Sequence, residues 1–201
     1  MIYFLPGMGA NSRMYTQYPE WLTLKGCQFL DWPEYQKENS IETLAKTIIK
    51  THRITNQDSI CGSSLGGMVA LEISAILNCQ KSVLIGSAAS PEEVNQLLLW
   101  LAPLAQITPM GLIQKLTGKS NNTLMEMFSE TDSLFIKSMC SAINKWRGRT
   151  DFKSLYRIHG TDDLIIKCLE DAFKIKGGGH LIAMTHPEEC TNILKTLFET
   201  L

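Results

Sequence analysis

A serine, an aspartate and a histidine in this chain have the types and order needed to turn a hydroxyl into a nucleophile. Gly62-Ser63-Ser64-Leu65-Gly66 fits G-x-S-x-G, with Ser64 at its centre. The spacing has a steric cause. A strand that turns abruptly into a helix holds the central residue in a strained backbone conformation with its hydroxyl exposed. Side chains two before and two after would collide, so both positions are glycine. A bare hydroxyl is a weak nucleophile; it needs a base, and an imidazole base needs an acid to fix its tautomer. Downstream, His159-Gly160-Thr161-Asp162-Asp163 offers the acid and Gly177-Gly178-Gly179-His180 the base. G-x-S-x-G alone is common enough by chance that these partners must decide. Ser63 would face away from such a turn. Asp162 rivals Asp163, and the spacing from Gly160 favours Asp163. His159 reads as a structural histidine at a strand end, and His186 as the cap of a closing helix.

These residues need elements to bring them together. Ile2 to Leu5, Cys27 to Leu30, Ser59 to Cys61, Ser82 to Gly86, Leu155 to His159 and Ala172 to Lys176 read as short strands. The run Val83-Leu84-Ile85 is apolar throughout, as expected of a parallel sheet covered on both faces. Ser40 is a suitable N-cap for a helix over 41–51, whose Ile41, Leu44, Ala45, Ile48 and Ile49 share a face. Pro187 suits the first turn of a closing helix, with Glu188 and Glu189 near its positive end. Strands alternating with helices imply an α/β fold with a mostly parallel sheet of about six strands. Such sheets bind ligands at the carboxyl ends of their strands. Met8, Ser64, Asp163 and His180 all fall at such ends.

From Pro91 to about Thr150 no strand-like run appears. Apolar helical segments over 94–102, 110–117, 123–129 and 132–147 are punctuated by Pro, Gly and Asn. The chain therefore divides into a core of 1–90 and 151–201 and a helical cap insertion, 91–150. Leu98, Leu101 and Met110 of this insertion read either as core residues or as candidates to roof a substrate pocket. Lys145, Arg147 and Arg149 either rim its mouth or are a solvated helix end.

Composition bounds the rest. At 201 residues, one well-cored domain is accommodated. With 19 Lys+Arg against 20 Asp+Glu, nothing suggests nucleic acid or another polyanion as partner. The 6 cysteines are scattered, without CxxC, which reads as buried thiols in a reducing, cytoplasmic setting and not as a metal site. The opening Met1 to Leu5 lacks a basic region and reads as a strand, not a signal peptide. The apolar stretch 94–113 is broken by two glutamines and two prolines, which argues against a membrane span.

Taken together, four motifs in order resemble the α/β-hydrolase superfamily. Pro6-Gly7-Met8-Gly9 looks like the H-G-x-G oxyanion loop with Pro in place of His, and Gly62 to Gly67 like the G-x-S-x-G-G elbow. His159-Gly160-x-x-Asp163 is similar to the strand-end acid motif, and Gly179-His180 before His186-Pro187 to the terminal histidine loop. Within the superfamily the chain looks like compact carboxylesterases that include the pimeloyl-ACP methyl ester esterases. The resemblance implies a Ser64–His180–Asp163 triad, an oxyanion hole from the Met8 and Leu65 backbone N–H groups, and no cofactor. It implies hydrolysis of a small-molecule carboxylic ester or thioester, free or carrier-linked, through an acyl-enzyme. Carbon–carbon bond hydrolysis with the same triad, or a non-catalytic binding role, are the alternatives. Departures stand beside the match. The chain opens at what would be the family's third strand, and only sixteen residues separate Asp163 from His180, leaving room for little more than a turn where a helix is usual.

Overall fold

The structure, a computed structural model, describes residues 1–95, 122–149 and 154–199. Six strands form one sheet: β1 (Ile2–Leu5), β2 (Cys27–Phe29), β3 (Ser59–Ser63), β4 (Ser82–Ile85), β5 (Leu155–Gly160) and β6 (Phe173–Ile175). Their order is β2-β1-β3-β4-β5-β6, and every pairing is parallel. The chain moves outward from β1 to β2, then returns past β1 to continue from β3. The direction of winding thus reverses between β1 and β3, where an open α/β sheet leaves a crevice beyond its strand ends.

Side-chain alternation along these strands sorts the core into two layers. Tyr3, Leu5 and Ile60 point to one face, where they meet α2 (Ile41–His52), α3 (Leu65–Leu77) and α5 (Ser133–Lys145). Phe4, Cys61, Val83 and Ile85 point to the other, against α1 (Arg13–Thr16), α6 (Ile182–Thr185) and α7 (Pro187–Glu199). Phe4, Tyr15, Trp21 and Phe29 form an aromatic cluster on that second face. Helix α2 starts where its sequence says it should. Ser40 accepts the Thr43 N–H at 3.1 Å and the Thr43 hydroxyl accepts the Ser40 N–H, a reciprocal cap. Helix α3 shows no polar stripe because Leu65 through Ser74 are all buried between the sheet and α2.

The insertion differs from expectation at both ends. Its expected helices over 123–129 and 132–147 are α4 (Asn122–Glu130) and α5, the latter ending at Lys145 because Trp146 turns extended. No helix starts at Val94. Instead Val94 bridges Ile166 in antiparallel fashion, the Asn95 N–H donates to the Ile165 carbonyl, and the Lys167 N–H donates to the Glu93 carbonyl, both at 2.8 Å. An apolar run suggests a helix locally, but here its backbone groups are satisfied by the segment after β5. The remainder of the expected helices over 94–102 and 110–117 lies outside the described residues.

Ion pairs fasten both ends of the segment between β4 and β5 to the sheet and α3. Arg157 of β5 makes a two-pronged contact with Glu93, at 2.7 and 3.0 Å, and all of these atoms are buried. At the far end Glu72 of α3 accepts from the Trp146 indole at 2.7 Å and from Arg149 at 3.0 Å. Arg149 is therefore an anchor. Its side chain, though partly exposed, is held by Glu72 and is not free to rim a pocket. No described helix is long and apolar enough to cross a membrane.

Candidate active site

Strand β3 ends at Ser63, and Ser64 adopts φ 52° and ψ −121° before α3 begins at Leu65. Such a positive φ is costly for a residue with a side chain, and only fixed surroundings hold it. The surroundings are the two glycines. A Cβ at Gly62 would strike the Gly66 backbone, and one at Gly66 would strike the carbonyls of Leu5 and Pro6. The turn therefore lets α3 press against both β3 and β1. Ser63 faces away, as its position demands, hydrogen-bonded at 2.9 Å to the buried Tyr15 hydroxyl.

The Ser64 hydroxyl projects beyond the strand ends and meets His180 Nε2 at 2.9 Å. His180 sits on the loop between β6 and α6, and its Nδ1 lies 3.0 Å from Asp163 Oδ2. A carboxylate only accepts, so His180 carries its proton on Nδ1, leaving Nε2 to accept from Ser64. Asp163 follows β5 and is wholly buried as a side chain. Its Oδ1 accepts the N–H groups of Ile165 and Ile166 at 2.8 and 3.0 Å. Asp162, its neighbour, is exposed, and among the described residues its carboxylate takes only the Thr161 hydroxyl.

A fourth member is His159, expected from sequence as a structural histidine. His159 of β5 is buried, and its Nε2 lies 3.0 Å from the same Asp163 oxygen and 3.1 Å from the Ile166 carbonyl. Both neighbours are acceptors, so His159 Nε2 carries a proton and is shared between them. Burial alone would push the Asp163 carboxyl up. The hydrogen bonds from His159 and His180, the attraction of His180 when it is protonated, and the Ile166 N–H outweigh it and hold the group well below the usual carboxylate range. The site thus keeps a negative charge at the Nδ1 edge of the His180 ring. His159-x-x-x-Asp163 was present in the sequence as a signal: four residues around one tight turn bring the two side chains together.

Gly7 and Met8 border the crevice from β1, and Leu65 borders it from α3. Leu65 is the first residue of its helix, where an N–H has no partner within the helix. Neither the Met8 nor the Leu65 N–H has a partner among the described residues. A cavity of about 240 Å³ opens beside Ser64 and His180. Apart from Ser63, Ser64 and His180 its described lining is backbone or apolar, including Met14, Met68, Phe128, Ile143 and Ile166. Phe128 comes from α4 and Ile143 from α5, so residues between β4 and β5 contribute to the wall. Leu98, Leu101 and Met110 lie outside the described residues. Among the described residues no group of three or more His, Cys, Asp or Glu is placed to hold a metal ion.

Such an arrangement can deprotonate a hydroxyl as it attacks, and can hold the imidazolium that results. No protein-family model matches the sequence, and no curated protein matches it. Solved structures do match in shape. A hydrolase from Oleispira antarctica superposes with a TM-score of 0.78 at 15% identity, covering 100% of this chain and 91% of that one. A lipase-esterase related protein from Clostridium acetobutylicum gives 0.76 at 14% identity, covering 98% and 93%. The 2-hydroxy-6-oxo-6-phenylhexa-2,4-dienoate hydrolase of a Rhodococcus strain gives 0.70 at 16% identity, covering 99% and 90%. At such identities likeness speaks for architecture and not for activity: the chain has the α/β-hydrolase fold.

Proposed function

We propose that this protein is a serine hydrolase that cleaves a carboxylic ester or thioester through an acyl-enzyme. The observation that carries the reading is the unbroken relay from Ser64 Oγ through His180 to Asp163, with contacts of 2.9 and 3.0 Å. In this reading His180 Nε2 takes the Ser64 proton as Oγ attacks the acyl carbon. The tetrahedral oxygen is received by the Met8 and Leu65 N–H groups. Collapse returns the proton from His180 to the departing alkoxide or thiolate. Water then attacks the acyl carbon, giving a proton to His180, and collapse returns that proton to Ser64 Oγ as the C–Oγ bond breaks and the acid leaves. Asp163 holds the ring in one tautomer and stabilises its charged form; it does not itself take the proton.

The cavity's composition supports an apolar, uncharged acyl group, since its described lining offers no charged side chain to offset a buried carboxylate. The insertion 91–150 acts as the roof through Phe128 and Ile143. The six cysteines, all free thiols, favour a reducing, cytoplasmic setting. A p-nitrophenyl butyrate assay on wild type and Ser64→Ala tests the central step. Turnover by wild type and its loss in a folded Ser64→Ala variant are expected. Equal turnover by both would end the proposal.

A further inference from the structure

Behind the oxyanion loop stands a side chain that never reaches the cavity. Trp32 follows β2, and its indole Nε1–H donates to the Gly7 carbonyl oxygen at 3.0 Å. The same oxygen accepts the Ala10 N–H at 3.1 Å, closing a tight turn. An indole nitrogen can only donate, so this contact has one sense. The ring is held in turn by Phe135 of α5, with centroids 5.5 Å apart, and Phe135 is also flanked by Tyr35.

The choice of oxygen gives the contact its consequence. The Gly7 carbonyl and the Met8 N–H belong to a single planar peptide group. The chain has no cis peptide among its described residues, so carbonyl and N–H point in opposite directions. Holding the oxygen from two sides therefore aims the nitrogen. Gly7 lies directly against the nucleophile, where a Cβ would come within 3.6 Å of the Ser64 Cβ. The Ala10 bond alone would close the turn yet leave the peptide plane free to tilt. A carbonyl that accepts two bonds is also more polarised, which makes the N–H at the other end of its amide a better donor.

We infer that Trp32 is a positioning residue for the oxyanion hole, fixing the Gly7–Met8 peptide so that the Met8 N–H faces the tetrahedral oxygen. The inference rests on the serine-hydrolase reading above. Because its contact is with the peptide and not with substrate, its loss is felt in the transition state and not in substrate binding.

Trp32→Phe removes the donor and keeps a ring against Phe135. Expected is a fall in kcat of about tenfold with KM within about twofold of wild type, since only a transition-state interaction is weakened. That is well short of the two to three powers of ten lost when a whole oxyanion donor is removed. A trifluoromethyl ketone, which forms a tetrahedral adduct with Ser64, should bind more weakly by the same factor as kcat/KM. Phe135→Leu loosens the same packing but leaves the indole N–H; its kcat should stay near that of wild type. If Trp32→Phe does not fold, benzothienylalanine at position 32 exchanges the N–H for sulfur at constant shape and makes the same measurement. An unchanged kcat, a change in KM alone, or an equal loss in Phe135→Leu would overturn the inference while leaving the serine-hydrolase reading standing. No ester turnover by wild type would remove both.

Discussion

The cavity beside Ser64 makes a quantitative demand on substrate length. Its volume of about 240 Å³ holds at least eight waters at roughly 30 Å³ each, more room than a six-carbon acyl chain needs. Its described walls are Met14, Met68, Phe128, Ile143 and Ile166 with their neighbours, so each added methylene leaves water for an apolar surface. One methylene contributes at most about 0.8 kcal/mol, or about fourfold in rate constant. Acetate to hexanoate adds four, giving an upper bound of about 3.2 kcal/mol, or two to three powers of ten in kcat/KM. The assay is initial-rate hydrolysis of p-nitrophenyl acetate, butyrate and hexanoate at substrate concentrations well below KM. Phe128→Ala should move the preference to longer chains, because the Phe128 ring forms part of the wall above Gly9. A flat or falling series from two to six carbons would refute the acyl-pocket argument outright.

Other consequences follow from the buried carboxylate. Asp163→Asn should lower kcat by about four powers of ten through loss of the correct imidazole tautomer, while Asp162→Asn should be mild; steady-state kinetics with the reverse ranking would move the acid by one residue. His159→Leu deletes a donor to a buried charge and should cost about 1.5–3 kcal/mol in urea unfolding, with far less effect on kcat than Asp163→Asn. Unaltered stability in that variant would mean that the contact holds nothing. Because the Asp163 carboxyl is depressed when folded, its ionisation stabilises the fold fully above the unfolded-chain value near pH 4. That contribution is lost as pH falls through the lower folded value. The urea midpoints of wild type and Asp163→Asn should accordingly converge below about pH 4; divergence there would contradict the shift.

What the sequence made legible were the parts fixed by short-range sterics and order. Two glycines around Ser64 are demanded by a turn whose collisions span only four residues, and Ser40 and Thr43 lie within one helical turn. Asp163 was separable from Asp162 because its distance from Gly160 sets which side chain returns over the strand end. Contacts that depend on distant chain were not legible. Trp32 reaches Gly7 only because β2 lies beside β1, and Val94 is extended only because residues 165–167 offer their backbone. Glu72 was a missed signal: a carboxylate amid Leu71 and Ile73 on a buried helix needs a partner, and Arg149 with Trp146 supplies it. His159 was legible as a strand end near Asp163, but which way its ring turns depends also on the Ile166 carbonyl beyond the turn.

Covalent labelling by a fluorophosphonate, followed by peptide mass spectrometry, tests the central claim most directly. The elbow, the relay to Asp163 and the N–H groups of Met8 and Leu65 together predict one adduct per chain, carried by Ser64. Ser64→Ala should be unlabelled and His180→Ala labelled much more slowly, with both folded by circular dichroism. An adduct on Ser63 or elsewhere, or labelling of Ser64→Ala at the wild-type rate, would contradict the assignment of Ser64 as the nucleophile.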